Sequence, residues 1–264
     1  MKYKAAFLIF IGMGTFGLLI SRNAERMNGA LINTKGSTIL ERFKAPRGWD
    51  RVHCDSNSFG YYLRHLALKA YGEKVHYYDH STKDQADVYV SVVDMDIDAS
   101  DLQQCADAVM RLRGEYLFVQ QKFDQIHFNY LSDGKPRFFT TYAKGNYSYQ
   151  NFRKYMRGVF AYANTGSLHD EMASVSSIKD MKVGDVFIQK RQPFGHAVVV
   201  VDMIEHKATK RKMFLLAQSY MPAQETQILM NPDHSEISPW YALEEGMIVT
   251  PEWTFKSGDL RRFK

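Results

Sequence analysis

The stretch FGHAVVVVDMI, residues 194–204, places a histidine, His196, at the head of a run that otherwise reads as a buried strand. An imidazole gains nothing from an apolar strand unless it has a partner. The next apolar run, RKMFLLAQ, ends in Gln218. If residues 196–204 and 211–218 form a hairpin centred near Lys207, His196 and Gln218 fall opposite each other, on one face and ~5 Å apart. The glutamine amide can then bond one ring nitrogen and fix the tautomer. A register change of one residue would send the two side chains to opposite faces. A histidine held by an amide is half of a thiol-hydrolase site. The other half is a cysteine at a helix start, where backbone amides favour the thiolate, and Cys105 in DLQQCADAVMRLRGEYL has that position. The order Cys, His, polar residue, with about 90 residues between the first two, suits groups distant in sequence and adjacent in the fold.

These phrases carry a resemblance. MKVGDVFIQ, FGHAVVVVD and FLLAQS resemble the second half of NlpC-type papain-like domains, in which a Gly-Asp turn leads into a strand, a Gly-His opens the next, and a polar residue sits on the strand after it. The resemblance implies Cys105 as nucleophile, His196 as base and Gln218 as orienter, with Asp185 a turn residue. The usual Asp-Cys-Ser-Gly of those domains is replaced here by QQCADA. Over nearly the whole chain after its leader, SFGYYLRHLALK, DLQQCADAVMRLRGEYL, IHFN, GDVFIQ, GHAVVVVDM, LLAQSYMPAQ and SPWY are similar to a bacterial family of unknown function numbered 4846. That family implies no activity, so the chemistry rests on the three residues.

Other reactive groups read more plainly. Cys54 adjoins His53, but neighbours on an extended segment point apart. His127 reads as a strand residue. Ser219 and Gln224 either line a cleft beside Gln218 or stabilise a turn. Trp49, Trp240 and Trp253 read as packing, and His169 and Glu171 as a solvated segment. The two cysteines permit one disulfide, Cys54 to Cys105. There is no HExxH, CxxC or G-x-S-x-G, and no glycine-rich phosphate loop after a strand, so no metal or other cofactor is expected.

The elements that must position the site follow from periodicity. Residues 55–70 and 98–123 read as helices, the second capped by Ser100 or Asp101, with Val109, Leu112, Tyr116 and Val119 on one stripe. Residues 148–166 read as an amphipathic helix closed by Gly166. VHYYDHS and QADVYVSVVDMDI read as a strand pair, and QIHFNYLS, MKVGDVFIQK, HAVVVVDMI and RKMFLLAQSY as further strands. The tail from Ser238 reads as turns and one more strand. Helices lie mostly early and strands mostly late. The expected class is α+β, a papain-like (NlpC-type) antiparallel sheet packed against helices, in a single domain over residues 46–264.

Composition sets the setting. The chain has 264 residues, with 45% hydrophobic and 24% charged, an ordinary globular balance. Of the formal charge of +5, Lys2, Lys4, Arg22 and Arg26 against Glu25 place +3 in the first 26 residues. The remainder is nearly balanced and has no basic tail, which speaks against nucleic acid as a partner. Residues 1–26, two lysines and then an uncharged run from Ala5 to Ile20, read as a signal peptide or signal anchor, and 27–45 as a tether. The expectation is an exported protein, periplasmic or anchored to the bacterial inner membrane through this segment alone. As a hydrolase it would act on a peptide or amide substrate of the cell envelope, peptidoglycan peptides among the choices. The alternative is a non-catalytic binding module on the same frame. A sulfur far from the His196 ring, or sealed from solvent, favours the second.

Overall fold

The computed structural model describes residues 31–264 apart from Ala86. The leader expected over 1–26 lies outside the described residues. Helices are α1 (Ile39–Arg42), α2 (Phe59–Arg64), α3 (Cys105–Val119), α4 (Phe139–Ala143), α5 (Tyr149–Tyr162) and α6 (Thr165–Glu171). Strands are β1 (Trp49–Arg51), β2 (Tyr89–Val92), β3 (His127–Asn129), β4 (Pro136–Phe138), β5 (Ala173–Ser174), β6 (Val186–Gln189), β7 (His196–His206), β8 (Lys212–Gln218), β9 (Gln227–Leu229), β10 (Tyr241–Ala242), β11 (Met247–Val249), β12 (Thr254–Lys256) and β13 (Leu260–Arg262).

One antiparallel sheet organises the chain, in the order β2-β9-β8-β7-β6-β13-β5, with β1 added along β7 and β10 along β8. β3–β4 and β11–β12 form separate ribbons. The architecture is therefore α+β, as the pattern of elements predicts. β7 is the spine, and its valines face two ways. Ala197, Val199 and Val201 join the core shared with α3, α5 and α6, whereas Val198 and Val200 join a second core with Phe187, Phe214, Leu216 and Phe255. Burial on both faces is why β7 reads as a continuous apolar run rather than an alternating one.

The β7–β8 register decides the site. Near the turn, Glu205 pairs with Lys212 and Asp202 with Leu215. Carried on unbroken, that register would set Gln218 opposite Val199, on the face away from His196. A bulge at Val201 shifts it, so that Val200 pairs with Leu216 and Val199 with Ala217. Gln218 thereby returns to the His196 face, diagonally placed and not directly opposite as the turn-centred estimate predicts. The turn also lies beyond Lys207, with Lys210 in the left-handed region at φ 58°.

The bulge turns Asp202 inward beside Val201. Asp202 is fully buried, and it accepts from Arg64 Nε at 2.6 Å and Arg51 Nε at 2.8 Å. This carboxylate ties α2 and β1 to the sheet. The segment expected as a tether belongs to the folded body from Leu31 onward. Leu31, Ile39 and Phe43 are buried, and Arg42 donates to the Gly36 and Lys69 carbonyls. Its apolar residues fill the sheet's helical side, which a solvated tether would leave open.

Other expectations shift. α2 stops after six residues, and residues 66–69 return to bridge Thr38 and Val93. β2 pairs with β9, not with VHYYDHS, which makes isolated bridges only. α3 starts at Cys105 behind Gln104, later than a cap at Ser100 or Asp101 would place it. α5 ends at Tyr162, and Gly166 lies inside α6 rather than closing α5. The tail supplies four short strands where one was expected. Among the described residues no helix is long and apolar enough to cross a membrane.

Candidate functional site

His196 lies at the start of β7, 1% exposed, where β8 diverges from it. Its Nε2 is 2.9 Å from Gln218 Oε1. The orientation of that amide is decided one step further on, because Gln218 Nε2 donates to Glu252 Oε2 at 2.6 Å and an ionised carboxylate can only accept. Gln218 therefore turns its oxygen to His196, which assigns the proton to Nε2 and leaves Nδ1 as a lone-pair base. Glu252 is held in turn by Lys83, whose Nζ lies 2.7 and 2.8 Å from the two carboxylate oxygens. Lys83 is 2% exposed and also donates to Gln224 Oε1 at 3.1 Å. Tyr220, Trp253 and Phe255 pack around the imidazole at 4.9, 5.3 and 5.8 Å between ring centroids. Burial pushes the His196 pKa down to about 4, against the weaker opposite pull of the Gln218 bond. The ring is neutral at neutral pH.

Cys105 is the first residue of α3, and Asp107 Oδ2 accepts from the Gln104 N–H at 3.1 Å to fix the helix start. The sulfur lies 3.8 Å from Thr165 Oγ1 and 4.0 Å from the Gly195 carbonyl oxygen. It thus meets the backbone beside His196, ninety-one residues along the chain, but no hydrogen bond joins it to the imidazole. Strand alternation explains this. Cys105 approaches with the α3-side core, whereas the His196 side chain projects to the other face. The thiol is pushed up, first by burial and further by the nearby Asp107 charge. The helix-start amides act in the opposite direction and do not overcome the desolvation of a residue 5% exposed. A pocket of about 250 Å³ nonetheless opens over the helix start, lined by Cys105, Asp107, Thr165, Lys190, Phe194 and Gly195 among others.

Gly195 has a packing reason. A Cβ there would overlap the Gln189 carbonyl oxygen and come within 2.9 Å of Thr165 Cγ2. The glycine admits the neighbouring strand and the start of α6, which brings Thr165 to the sulfur.

The remaining candidates lie elsewhere or serve structure. Cys54 and Cys105 are both free thiols, so they form no disulfide. His53 Nε2 faces Asp55 at 3.1 Å. His127 faces Glu171 at 3.2 Å, in the β3–β4 region. Ser219 donates to the Gln224 carbonyl at 2.6 Å, which is turn chemistry. Asp185 holds Arg262 and the Lys182 amide. Trp49 packs on His206 and Trp240 is buried, while Trp253 joins the wall around His196 and donates to Gln189 at 2.9 Å. A larger cavity, about 880 Å³, lies away from Cys105, between Cys54, Arg113, Lys182 and Arg262. Sequence reasoning missed Lys83, Glu252 and Thr165, because each sits in or beside a loop with no periodic signal. Only the proximity of Glu252 to Trp253 hints at its place.

Fold and site together define an α+β protein in which a buried histidine held by Gln218 and a helix-start cysteine that reaches the Gly195 backbone lie at one end of an antiparallel sheet. The chain belongs to the family described as domain of unknown function 4846, whose model matches residues 39–262. That match begins inside the segment expected as a tether, in line with the packing of α1. No curated protein matches the chain, and no solved structure does.

Proposed function

We propose that this protein is a papain-like cysteine hydrolase that cleaves an amide bond in the cell envelope. One observation carries the reading: Cys105, at the first position of a helix, touches the backbone beside a histidine whose tautomer is set by Gln218 and Glu252. Nδ1 is left free to take a proton. In the proposed reaction the Cys105 S–H proton passes to His196 Nδ1 as sulfur attacks the amide carbonyl. The C–N bond breaks, and the imidazolium gives its proton to the leaving amine. Water then hydrolyses the thioester, releasing the acid and restoring the thiol. The N–H groups of the first turn of α3 would stabilise the oxyanion. In the form described here both partners are neutral, and the Phe194–Gly195 segment borders the thiol. Because the His196 ring projects to the other face, this reading requires substrate to rearrange residues 194–196 so that the ring turns to the sulfur; a ring that stays against Gln218 and Phe255 leaves the site non-catalytic. The leader read in residues 1–26 carries the envelope assignment.

A second reading, a non-catalytic binding module, is favoured by a specific observation: the sulfur is bonded to Thr165 and Gly195 and its pKa is raised. The two separate by labelling with a thiol-directed amide-hydrolase probe, comparing wild type, Cys105→Ala and His196→Ala. Labelling lost in both variants is the hydrolase result. Labelling equal in wild type and Cys105→Ala refutes it, and no labelling of wild type leaves the binding module.

A further inference from the structure

The cavity of about 880 Å³ contains a cation that the fold leaves without a counter-charge. Arg113, in the middle of α3, lines it, is half-buried, and makes no hydrogen bond or ion pair among the described residues. Its guanidinium carbon lies 5.2, 5.3 and 5.3 Å from the centres of the Phe263, Phe59 and Tyr116 rings. The ring faces attract the charge and fix the plane of the group, and the N–H donors at its edge stay unspent. Burial lowers the Arg113 pKa, yet a guanidinium stays charged at neutral pH. The carboxylates on its other side, Asp170 and Glu171, line a separate pocket and are held by Lys190 and by the Asn129 N–H. Lys179, Lys182 and Lys212 line the large cavity too, and none forms an ion pair among the described residues. Its carboxylates do not match them. Arg262 takes Asp185 at 2.6 Å, and Asp55 faces His53 at 3.1 Å, which leaves Asp180 against four cations.

We propose that this cavity binds a phosphate ester of a soluble small molecule, with Arg113 as its bidentate anchor and Lys179 and Lys182 as flanking charges. The fork of a guanidinium matches two oxygens of one phosphate, and the lysines add point charges. A phosphate monoester, with close to two negative charges at neutral pH, uses this surplus better than a single carboxylate does. The volume lies within the range of small-molecule sites. Phe59 and Phe263 give the organic part of the ester an apolar wall. The cavity shares no lining residue with the Cys105 pocket, so the assignment stands apart from the hydrolase reading.

The test is calorimetric titration of the full chain with phenyl phosphate and with benzoate, which carry the same ring, at fixed ionic strength. The expected result is saturable binding of phenyl phosphate at one site per chain, at least about tenfold tighter than benzoate. Arg113→Gln should weaken it at least about tenfold, and Arg113→Lys, which keeps the charge and loses the fork, should restore only part. The double variant Lys179→Gln, Lys182→Gln changes exposed residues and should weaken binding severalfold with the Tm unchanged. Lys154→Gln, exposed on α5 and outside the cavity, should bind as wild type does. Equal affinity for the two anions overturns the proposal, as does the absence of saturable phosphate binding at millimolar concentration. Binding unchanged in Arg113→Gln and in the double variant also overturns it. So does a loss in Lys154→Gln equal to that in the double variant, the mark of general attraction to a basic surface. Sedimentation with vesicles containing phosphatidic acid separates a lipid headgroup from a soluble ester. Pelleting of wild type that is lost in Arg113→Gln and not reversed by phenyl phosphate overturns the soluble assignment.

Discussion

Two buried titratable groups near the site act on stability in opposite directions, and this makes the burial of His196 measurable. Its pKa falls from 6.5 to about 4. The unfolded chain takes up its proton first as pH falls, so the stabilisation is fully present above about 6.5 and lost progressively toward 4. At about 1.4 kcal/mol per pKa unit, a fall of that size corresponds to roughly 3 kcal/mol. Asp107 behaves inversely. Its carboxyl is raised from 3.8 to about 8, so folding is favoured as pH falls through that window and disfavoured as pH rises. A wild-type pH profile alone would show the two partly cancelled. The perturbation is therefore His196→Gln, which retains a donor for Gln218 and removes the titration, with urea unfolding of both proteins at about pH 7.5 and about pH 4. The Asp107 contribution is common to both and drops out of the difference. Wild type should lose roughly 3 kcal/mol more than the variant on acidification. Two stability curves running parallel between these pH values would refute the buried, neutral imidazole and with it the assigned tautomer.

Two further perturbations test the frame that holds the site. Asp202→Ala leaves the Arg51 and Arg64 guanidinium groups without their carboxylate; breaking such a buried pair costs about 3–5 kcal/mol, equivalent to a Tm lower by roughly 10 °C for a chain of this size. Thermal unfolding monitored by circular dichroism checks it, and an unchanged Tm contradicts the bridging role. Gly195→Ala forces the β6–β7 mouth and Thr165 apart, at a cost of about 1–3 kcal/mol. It should also speed reaction of Cys105 with a thiol reagent in a Cys54→Ser background. A rate and Tm equal to those of Cys54→Ser would show that the close packing is not what shields the sulfur.

The class of the fold and the order of the candidate residues were legible in the amino-acid pattern. Valines buried on both faces made β7 legible, the amphipathic pattern over 148–166 made α5 legible, and Cys105, His196 and Gln218 stood out as candidates by residue type and place. These signals are local, and local periodicity survives in any register. How those residues are placed against one another depended on long-range packing. A single extra residue at Val201 returns Gln218 to the face of His196, and no composition rule locates a bulge. Glu252 and Lys83, which orient Gln218, come from segments about 170 residues apart and carry no pattern before folding brings them together. The state of Cys105 was likewise beyond the sequence. A helix start favours a thiolate, but burial under Thr165 and Gly195 outweighs that preference, because desolvation depends on everything packed around an atom and not on its neighbours in the chain.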